Sequence, residues 1–329
     1  MSSISLAVTG AAGNIAYALL PRLGELLQDT ETTLSLRLLE VESRMHALEG
    51  VVMELEDCAF PFIDEIIYTS NAEEAFFDVD YALLIGAMPR VQGMQRSDLL
   101  KANAGVFKEQ GTALNKVADR NCQVLVVGNP CNTNAYLTMR FAPDLAKKNF
   151  FAMSMLDQNR AYAQLASILD ISINQIDNLC VWGNHSDTMF ADYFNALLDG
   201  QPLIEQFRKK EVLLREKYLP TVASRGSEVI KMRGSSSAAS AANAALDSMI
   251  MLIDKNPDYG MFSIAICSSG EYGAKPGSIV SYPCQFDASG SLSVVSGLTH
   301  NDFAQGKLDA SFAEIAQEIA QVESLLTTL

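Results

Sequence analysis

Apolar and polar positions along the first half of the chain follow a strand–helix rhythm. Short apolar runs at Ile4–Thr9, Leu34–Leu39, Ile66–Thr69, Tyr81–Ile85, Val124–Val127 and Phe150–Met153 read as strands. Helical spacing follows the first of them through Ala18, Leu19, Leu23 and Leu27, and returns at Met45–Cys58, Asp98–Asn115 and Thr133–Phe141. Near-continuous apolar strands alternating with helices are what a parallel sheet covered on both faces requires. The pattern therefore predicts an α/β fold with a doubly wound parallel sheet. From about Phe151 the rhythm changes. Longer helical patterns appear at Asn159–Leu169, Pro202–Val222, Ala238–Ile253 and Phe312–Leu326, with strand candidates at Phe262–Cys267, Ile279–Tyr282 and Leu292–Val295. This predicts a second, α+β domain, divided as residues 1–154 and 155–329. Within it the alternating run Ile176–Val181 predicts a strand that ends at Trp182-Gly183-Asn184-His185-Ser186-Asp187. The apolar-periodic run Met189–Leu198 predicts a helix after that turn.

The ends of the predicted strands carry the chemistry. The first runs into Gly10-Ala11-Ala12-Gly13-Asn14-Ile15-Ala16. Small residues permit a tight turn, and the helix N-terminus behind them offers free N–H groups to a phosphate. The second strand ends at Glu40, where an acid can accept hydrogen bonds from ribose hydroxyls and repel a 2′-phosphate. Its distance from the glycines implies a lengthened helix and loop over Gln28–Thr33, and Glu42 is a nearby competitor. Further strands end at Gly86 and at Val127-Gly128-Asn129, where the Asn129–Pro130 linkage restricts Asn129 and permits a cis bond. Gly86 opens a segment holding Arg90 and Arg96, which reads as a lid carrying two guanidiniums over an anion. Ser235–Ser237 open an Ala/Ser-rich helix, either as caps or as contacts for a carboxylate.

Charge narrows the partners. A net charge of −15 disfavours nucleic acid and anionic membrane, so an anionic ligand would need locally grouped arginines. The six cysteines have no C-x-x-C spacing, which points to buried free thiols and to no metal site. No basic leader with a long apolar core begins the chain, and no 18-residue apolar run occurs in it; the expectation is a soluble, cytoplasmic protein.

Of the three histidines, His46 and His300 read as solvated or structural, and His185 as a proton acceptor. Asp157 and Arg160 lie close together upstream: the carboxylate would orient the imidazole, and the guanidinium would hold an anionic substrate. With a dinucleotide to take the hydride, the parts specify oxidation of a carboxylate-bearing secondary alcohol.

On Thr9–Leu19 (TGAAGNIAYAL), Glu49–Cys58 (EGVVMELEDC), Gly86–Asn103 (GAMPRVQGMQRSDLLKAN), Gly128–Ala135 (GNPCNTNA), Leu156–Ala161 (LDQNRA) and Trp182–Ser186 (WGNHS), the chain resembles the lactate/malate dehydrogenase superfamily over almost its whole length. It is most similar to the branch containing animal cytosolic and many bacterial malate enzymes. The resemblance implies a Rossmann-type NAD-binding domain, NAD as cofactor, and reversible oxidation of (S)-malate to oxaloacetate. It further implies a homodimer and a place in the tricarboxylic acid cycle. Residue by residue, it implies His185 as proton acceptor with Asp157 as its partner. Arg160 would pair with the carboxylate beside the reacting carbon, Arg96 would polarise the carbonyl, and Arg90 would bind the distal carboxylate. Lactate-type members carry Gln at the Arg90 position. Asn103, Gln110 and Val127–Asn129 match cofactor positions, Asn129 also touches substrate, and Ser237 is a weaker substrate position. Four positions depart from the branch: Glu40 for Asp, Gln158 for His, Cys131 for Ala and Met155 for Arg. Gln158 is expected to lie off the catalytic face. Two alternatives remain, a dehydrogenase of another 2-hydroxy acid and a catalytically retired NAD-binding protein.

Overall fold

The computed structural model describes residues 3–27, 32–88 and 96–326. The chain forms two compact units. One comprises Met1–Ala152 with Ala241–Leu246 and Ile319–Leu329, the other Met153–Ser240 with Asp247–Glu318.

In the first unit six strands run parallel: β1 (Ser3–Thr9), β2 (Thr33–Leu39), β3 (Ile63–Thr69), β4 (Tyr81–Leu84), β5 (Gln123–Val126) and β6 (Phe150–Ala152). Their order is β6-β5-β4-β1-β2-β3. Helices α1 (Asn14–Leu27), α2 (Met45–Asp57), α3 (Ala72–Ala75), α4 (Arg96–Val117) and α5 (Cys131–Phe141) connect them. Leu6, Ala7, Val8, Leu83, Leu84, Leu125 and Val126 are buried on both faces of the sheet, which explains their continuous apolar runs. Helices take the complementary pattern: Leu48, Val52 and Leu55 share the buried face of α2. This is the doubly wound Rossmann-type sheet that the alternation predicts. Its strand order reverses between β1 and β4, the place where such sheets receive ligands beyond their carboxyl ends.

The second unit mixes helices with short antiparallel pairings. After α6 (Met155–Leu169) come β7 (Ile176–Asp177), β8 (Cys180–Trp182), β9 (Phe190–Asp192), β10 (Leu197–Leu198) and β11 (Gln201–Pro202). Short helices α7 (Leu203–Gln206) and α8 (Glu211–Leu213) precede α9 (Leu219–Arg233) and α10 (Ala239–Asp254). Strands β12 (Phe262–Cys267), β13 (Ile279–Phe286) and β14 (Leu292–Val294) form an antiparallel ladder, and α11 spans Asp302–Leu326.

Three expectations fail here. The run Ile176–Val181 is not one strand: the chain turns at Asn178, where φ is +57°, so that β7 pairs with β10 and β8 with β9. The run Met189–Leu198 is no helix, because β9 pairs antiparallel with β8. The buried Asp192 carboxylate then accepts the backbone N–H groups of Phe194 at 3.0 Å and Asn195 at 3.3 Å, turning the chain. Pro202–Val222 is likewise not one helix. It divides into short turns, a π-helical turn at Leu214–Tyr218 and then α9, with Pro220 in the first turn of α9. Proline has no N–H, and its ring clashes with the carbonyl four residues back, so a continuous α-helix cannot run through it unchanged.

Candidate active site

The loop between β1 and α1 is built for close approach of backbone. Gly10 has φ +64°, and a Cβ there would lie 2.6 Å from Gly86 Cα. Only bare backbone fits at this crossing of the ends of β1 and β4. Gly13 N–H donates to Gly10 O at 2.8 Å, closing the turn before α1 begins at Asn14. Glu40, buried just after β2, accepts the Ala12 N–H at 3.1 Å, so the acid is anchored to the glycine loop. Glu42 is exposed instead and takes the Ser70 hydroxyl at 2.5 Å. Arg44, which sequence reasoning passed over, donates to Ala12 O at 2.8 Å and steadies the same loop.

The other predicted strand-end residues gather in this unit. Gly86 N–H donates to Thr9 Oγ1 at 3.0 Å, and Val127 and Gly128 N–H both donate to Leu84 O. Asn129 is exposed, and its bond to Pro130 is cis. Asn134 on α5 reaches back to Gly128 O at 2.8 Å, fixing the turn before Asn129, a role that was not assigned to it from the sequence. Asn103 is fully buried and accepts the Met88 N–H at 2.8 Å. Gln110 is buried with its Oε1 unpaired among the described residues, an acceptor that suits a bound polar group. A closed glycine turn, a helix N-terminus, an anchored acid and this acceptor fit a dinucleotide.

The residues predicted for proton transfer lie in the second unit. Asp157 sits in the first turn of α6, and His185 follows β8 after the sharp turn at Gly183, where φ is +90°. His185 Nδ1 is hydrogen-bonded to Asp157 Oδ2, while Arg160 Nη1 donates to Asp157 Oδ1 at 3.3 Å. The carboxylate thus divides its two oxygens between an imidazole and a guanidinium. Burial alone would raise its pKa; the charges and hydrogen bonds of His185 and Arg160 outweigh burial and hold it below the usual carboxylate range. An ionised Asp157 accepts a proton-bearing Nδ1, which assigns Nε2 as the basic nitrogen of neutral His185. Arg160 Nη2 also donates to Ser237 Oγ at 3.2 Å. Ser237 therefore belongs with Arg160, and α10 shows no side-chain cap at its start. Gly226 of α9 faces the guanidinium, since a Cβ there would lie 3.6 Å from Arg160 Nη1.

Gln158 does more than its expected place off the reacting face suggests. Its buried Oε1 accepts the Ser263 N–H at 2.5 Å, and Ser263 Oγ accepts the Val181 N–H at 2.8 Å. One helix and two strands are joined beside the Asp157–His185 pair. His300 is structural: its ring packs edge-on against Trp182 and Tyr272, with Nε2 3.4 Å from Asp192. His46 is fully exposed. Arg90 lies outside the described residues, and Arg96 opens α4. The six cysteines are free thiols, four of them buried, and burial pushes Cys180 up to about 12.

Comparison with known families matches both halves of this arrangement. Residues 4–151 match the lactate/malate dehydrogenase NAD binding domain, and residues 154–326 match the lactate/malate dehydrogenase alpha/beta C-terminal domain. The chain belongs to the lactate/malate dehydrogenase family. Its cofactor is NAD. Among solved members, the malate dehydrogenase of Naegleria fowleri is 40% identical over 99% of each chain, with a TM-score of 0.92. The lactate dehydrogenase of Trichomonas vaginalis, in complex with NADH and oxamate, is 34% identical over 99% of this chain and 100% of that one, with a TM-score of 0.93. The family acts on hydroxy and keto acids. Among the described residues no helix is long and apolar enough to cross a membrane.

Proposed function

We propose that the chain is an NAD-dependent malate dehydrogenase that interconverts (S)-malate and oxaloacetate. The observation that carries the reading is the Asp157 carboxylate shared between His185 and Arg160. This pairing supplies a base of fixed tautomer beside a guanidinium suited to a carboxylate. When bound, NAD accepts the hydride from the alcohol carbon. The loop Gly10–Ala16 holds its pyrophosphate and Glu40 its ribose hydroxyls, with Gly86, Asn103, Gln110 and Val127–Asn129 as further contacts. As the C–H bond gives up its hydride, His185 Nε2 takes the hydroxyl proton, and Asp157 stabilises the imidazolium through Nδ1–H. Arg160, steadied by Ser237, grips the carboxylate beside the reacting carbon. Asn129 orients the substrate, and Arg96 draws charge onto the carbonyl oxygen. Arg90 pairs with the second carboxylate, which is what separates malate from lactate in this reading. Burying that guanidinium against a substrate with no second carboxylate would leave it unpaired. We further propose a cytoplasmic homodimer, with the domain boundary at 154/155.

A second reading, a lactate-type enzyme, is favoured by the 34% identity to the Trichomonas lactate dehydrogenase over the full length. Steady-state NADH oxidation with oxaloacetate, pyruvate and 2-oxoglutarate, repeated with NADPH, separates the two. The malate reading expects oxaloacetate and NADH to be preferred. Arg90→Gln should then lower kcat/KM for oxaloacetate by about 10² or more while leaving pyruvate nearly unchanged, the scale of losing a desolvated charge pair. Equal losses on both substrates would remove Arg90 from specificity, and a parent enzyme preferring pyruvate would establish the lactate reading.

A further inference from the structure

The loop bearing His185 leaves β8 at Trp182 and re-enters a strand at Phe190. Asp157 reaches its imidazole from α6, but the rest of the loop is gripped from another side, by α11. A Cβ at Gly183 would fall 2.1 Å from Ser311 Oγ, so the helix lies directly on bare backbone. Ser311 Oγ accepts the Asn184 N–H at 2.8 Å. About one turn on, Glu314 Oε2 accepts from Asn184 Nδ2 at 2.8 Å, from Thr188 Oγ1 at 2.7 Å and from Ser186 Oγ. Glu318 Oε1 takes Asn184 Nδ2 at 3.1 Å. One carboxylate oxygen therefore collects donors from the residue before His185, the residue after it and the residue three beyond.

We propose that Glu314 is a positioning residue for proton transfer, holding Asn184, Ser186 and Thr188 so that the His185 imidazole stays in place on Asp157. This rests on the reading of His185 as the base. An ionised carboxylate is acceptor-only, so one group satisfies all three donors, which a neutral hydroxyl could not do. The chemical demand is strict, because a shift of about 1 Å at a reacting group costs on the order of 10² in rate. Local bonds shape the segment, with Ser186 N–H donating to Asn184 O at 2.8 Å and Thr188 N–H to Ser186 Oγ at 3.1 Å. But α11, which ties it to the rest of the unit, lies over 120 residues away in sequence.

The test compares Glu314→Ala with Glu314→Gln in the full chain. The alanine variant should lower kcat by about 10² while the Kd for NADH, read by its fluorescence, stays within twofold. The glutamine variant keeps an acceptor oxygen and should recover kcat to within tenfold of the parent. A second readout needs no turnover. The chain has three histidines, and in a ¹H–¹⁵N imidazole spectrum Glu314→Ala should shift or broaden the His185 signals and leave His46 unmoved. The proposal is overturned if Glu314→Ala keeps kcat within twofold. It is overturned equally if both variants lose the same activity while the His185 signals stay in place. Should the alanine variant not fold, Ser186→Ala and Thr188→Val each remove one donor, and each should lower kcat at least threefold; unchanged kcat in both overturns the proposal. A parent that turns over no 2-oxo acid, with His185 signals that still respond to Glu314→Ala, would sink the dehydrogenase reading and leave the positioning role standing.

Discussion

Asp157→Asn isolates the pairing on which the chemistry depends. Asp157 gives Oδ1 to Arg160 and Oδ2 to His185, and both partners are donors. An amide of the same shape has one acceptor oxygen and one NH₂, so it can serve only one of them. Arg160 is a permanent cation with no acceptor, and it takes the oxygen. The NH₂ then faces Nδ1, which must accept, and the imidazole proton moves to Nε2. In that tautomer the ring cannot receive the alcohol proton. The same exchange in the serine-protease triad costs about 10⁴ in kcat, equivalent to about 5.4 kcal/mol at about 1.36 kcal/mol per decade. The expectation here is a loss of 10³ to 10⁴, on the order of that triad effect, with the KM for NAD unchanged. Stability should fall as well. The Arg160 and Asp157 side chains are 14% and 5% exposed, and removing one partner of a buried pair costs about 3 kcal/mol. Because the folded pKa of Asp157 is depressed, its contribution is full above the unfolded carboxylate value near about 4 and is lost as pH falls through the folded value. Urea unfolding of parent and variant should therefore show a constant gap from pH 7 to pH 5 that closes on acidification below about pH 4. A variant kcat within tenfold of the parent, or a stability gap that persists at the acid end, would refute the reasoning.

Two other substitutions probe the cofactor unit. Gly10→Ala places a methyl 2.6 Å from Gly86 Cα on a backbone at φ +64°; NADH titration should show at least tenfold weaker binding, with a lowered Tm. Glu40→Gln keeps an acceptor for the Ala12 N–H but removes the charge proposed to meet the ribose. The ratio of kcat/KM for NADPH over NADH should rise by about tenfold or more, and an unchanged ratio would remove Glu40 from cofactor discrimination.

What could be read beforehand was what local pattern encodes. Parallel strands buried on both faces must be apolar runs, and their ends must turn, so β1 to β6 and the residues at their tips were legible from Ile4 to Met153. The pairing of Asp157 with His185 was legible because it uses two segments with unusual polar residues in apolar surroundings. Long-range packing decided the rest. The run Met189–Leu198 has the apolar spacing of a helix, yet Phe190–Asp192 pairs with β8, and the strand pairing wins. Gln158 looked like a neutral replacement, because the Ser263 N–H that it satisfies is over 100 residues away. Glu314 is one of many acids on an amphipathic helix, and only the folded chain brings it against Asn184. Arg90 falls outside the described residues, so its role rests on the sequence.

The unit that begins the chain also contains Ala241–Leu246 and Ile319–Leu329. Its contacts with them are specific: Arg22 Nη2 donates to Asn243 Oδ1 at 2.6 Å, and Tyr136 OH donates to Glu323 Oε1 at 2.6 Å. During synthesis at about 5–20 residues per second, Glu323 emerges roughly ten to thirty seconds after the last strand of the parallel sheet. For that interval the nascent cofactor-binding unit is incomplete: Ala241–Leu246 reaches it about midway and Ile319–Leu329 only at the end. A fragment stopped at Ala152 would stay in that unfinished state. The unit whose synthesis starts first is thus completed last.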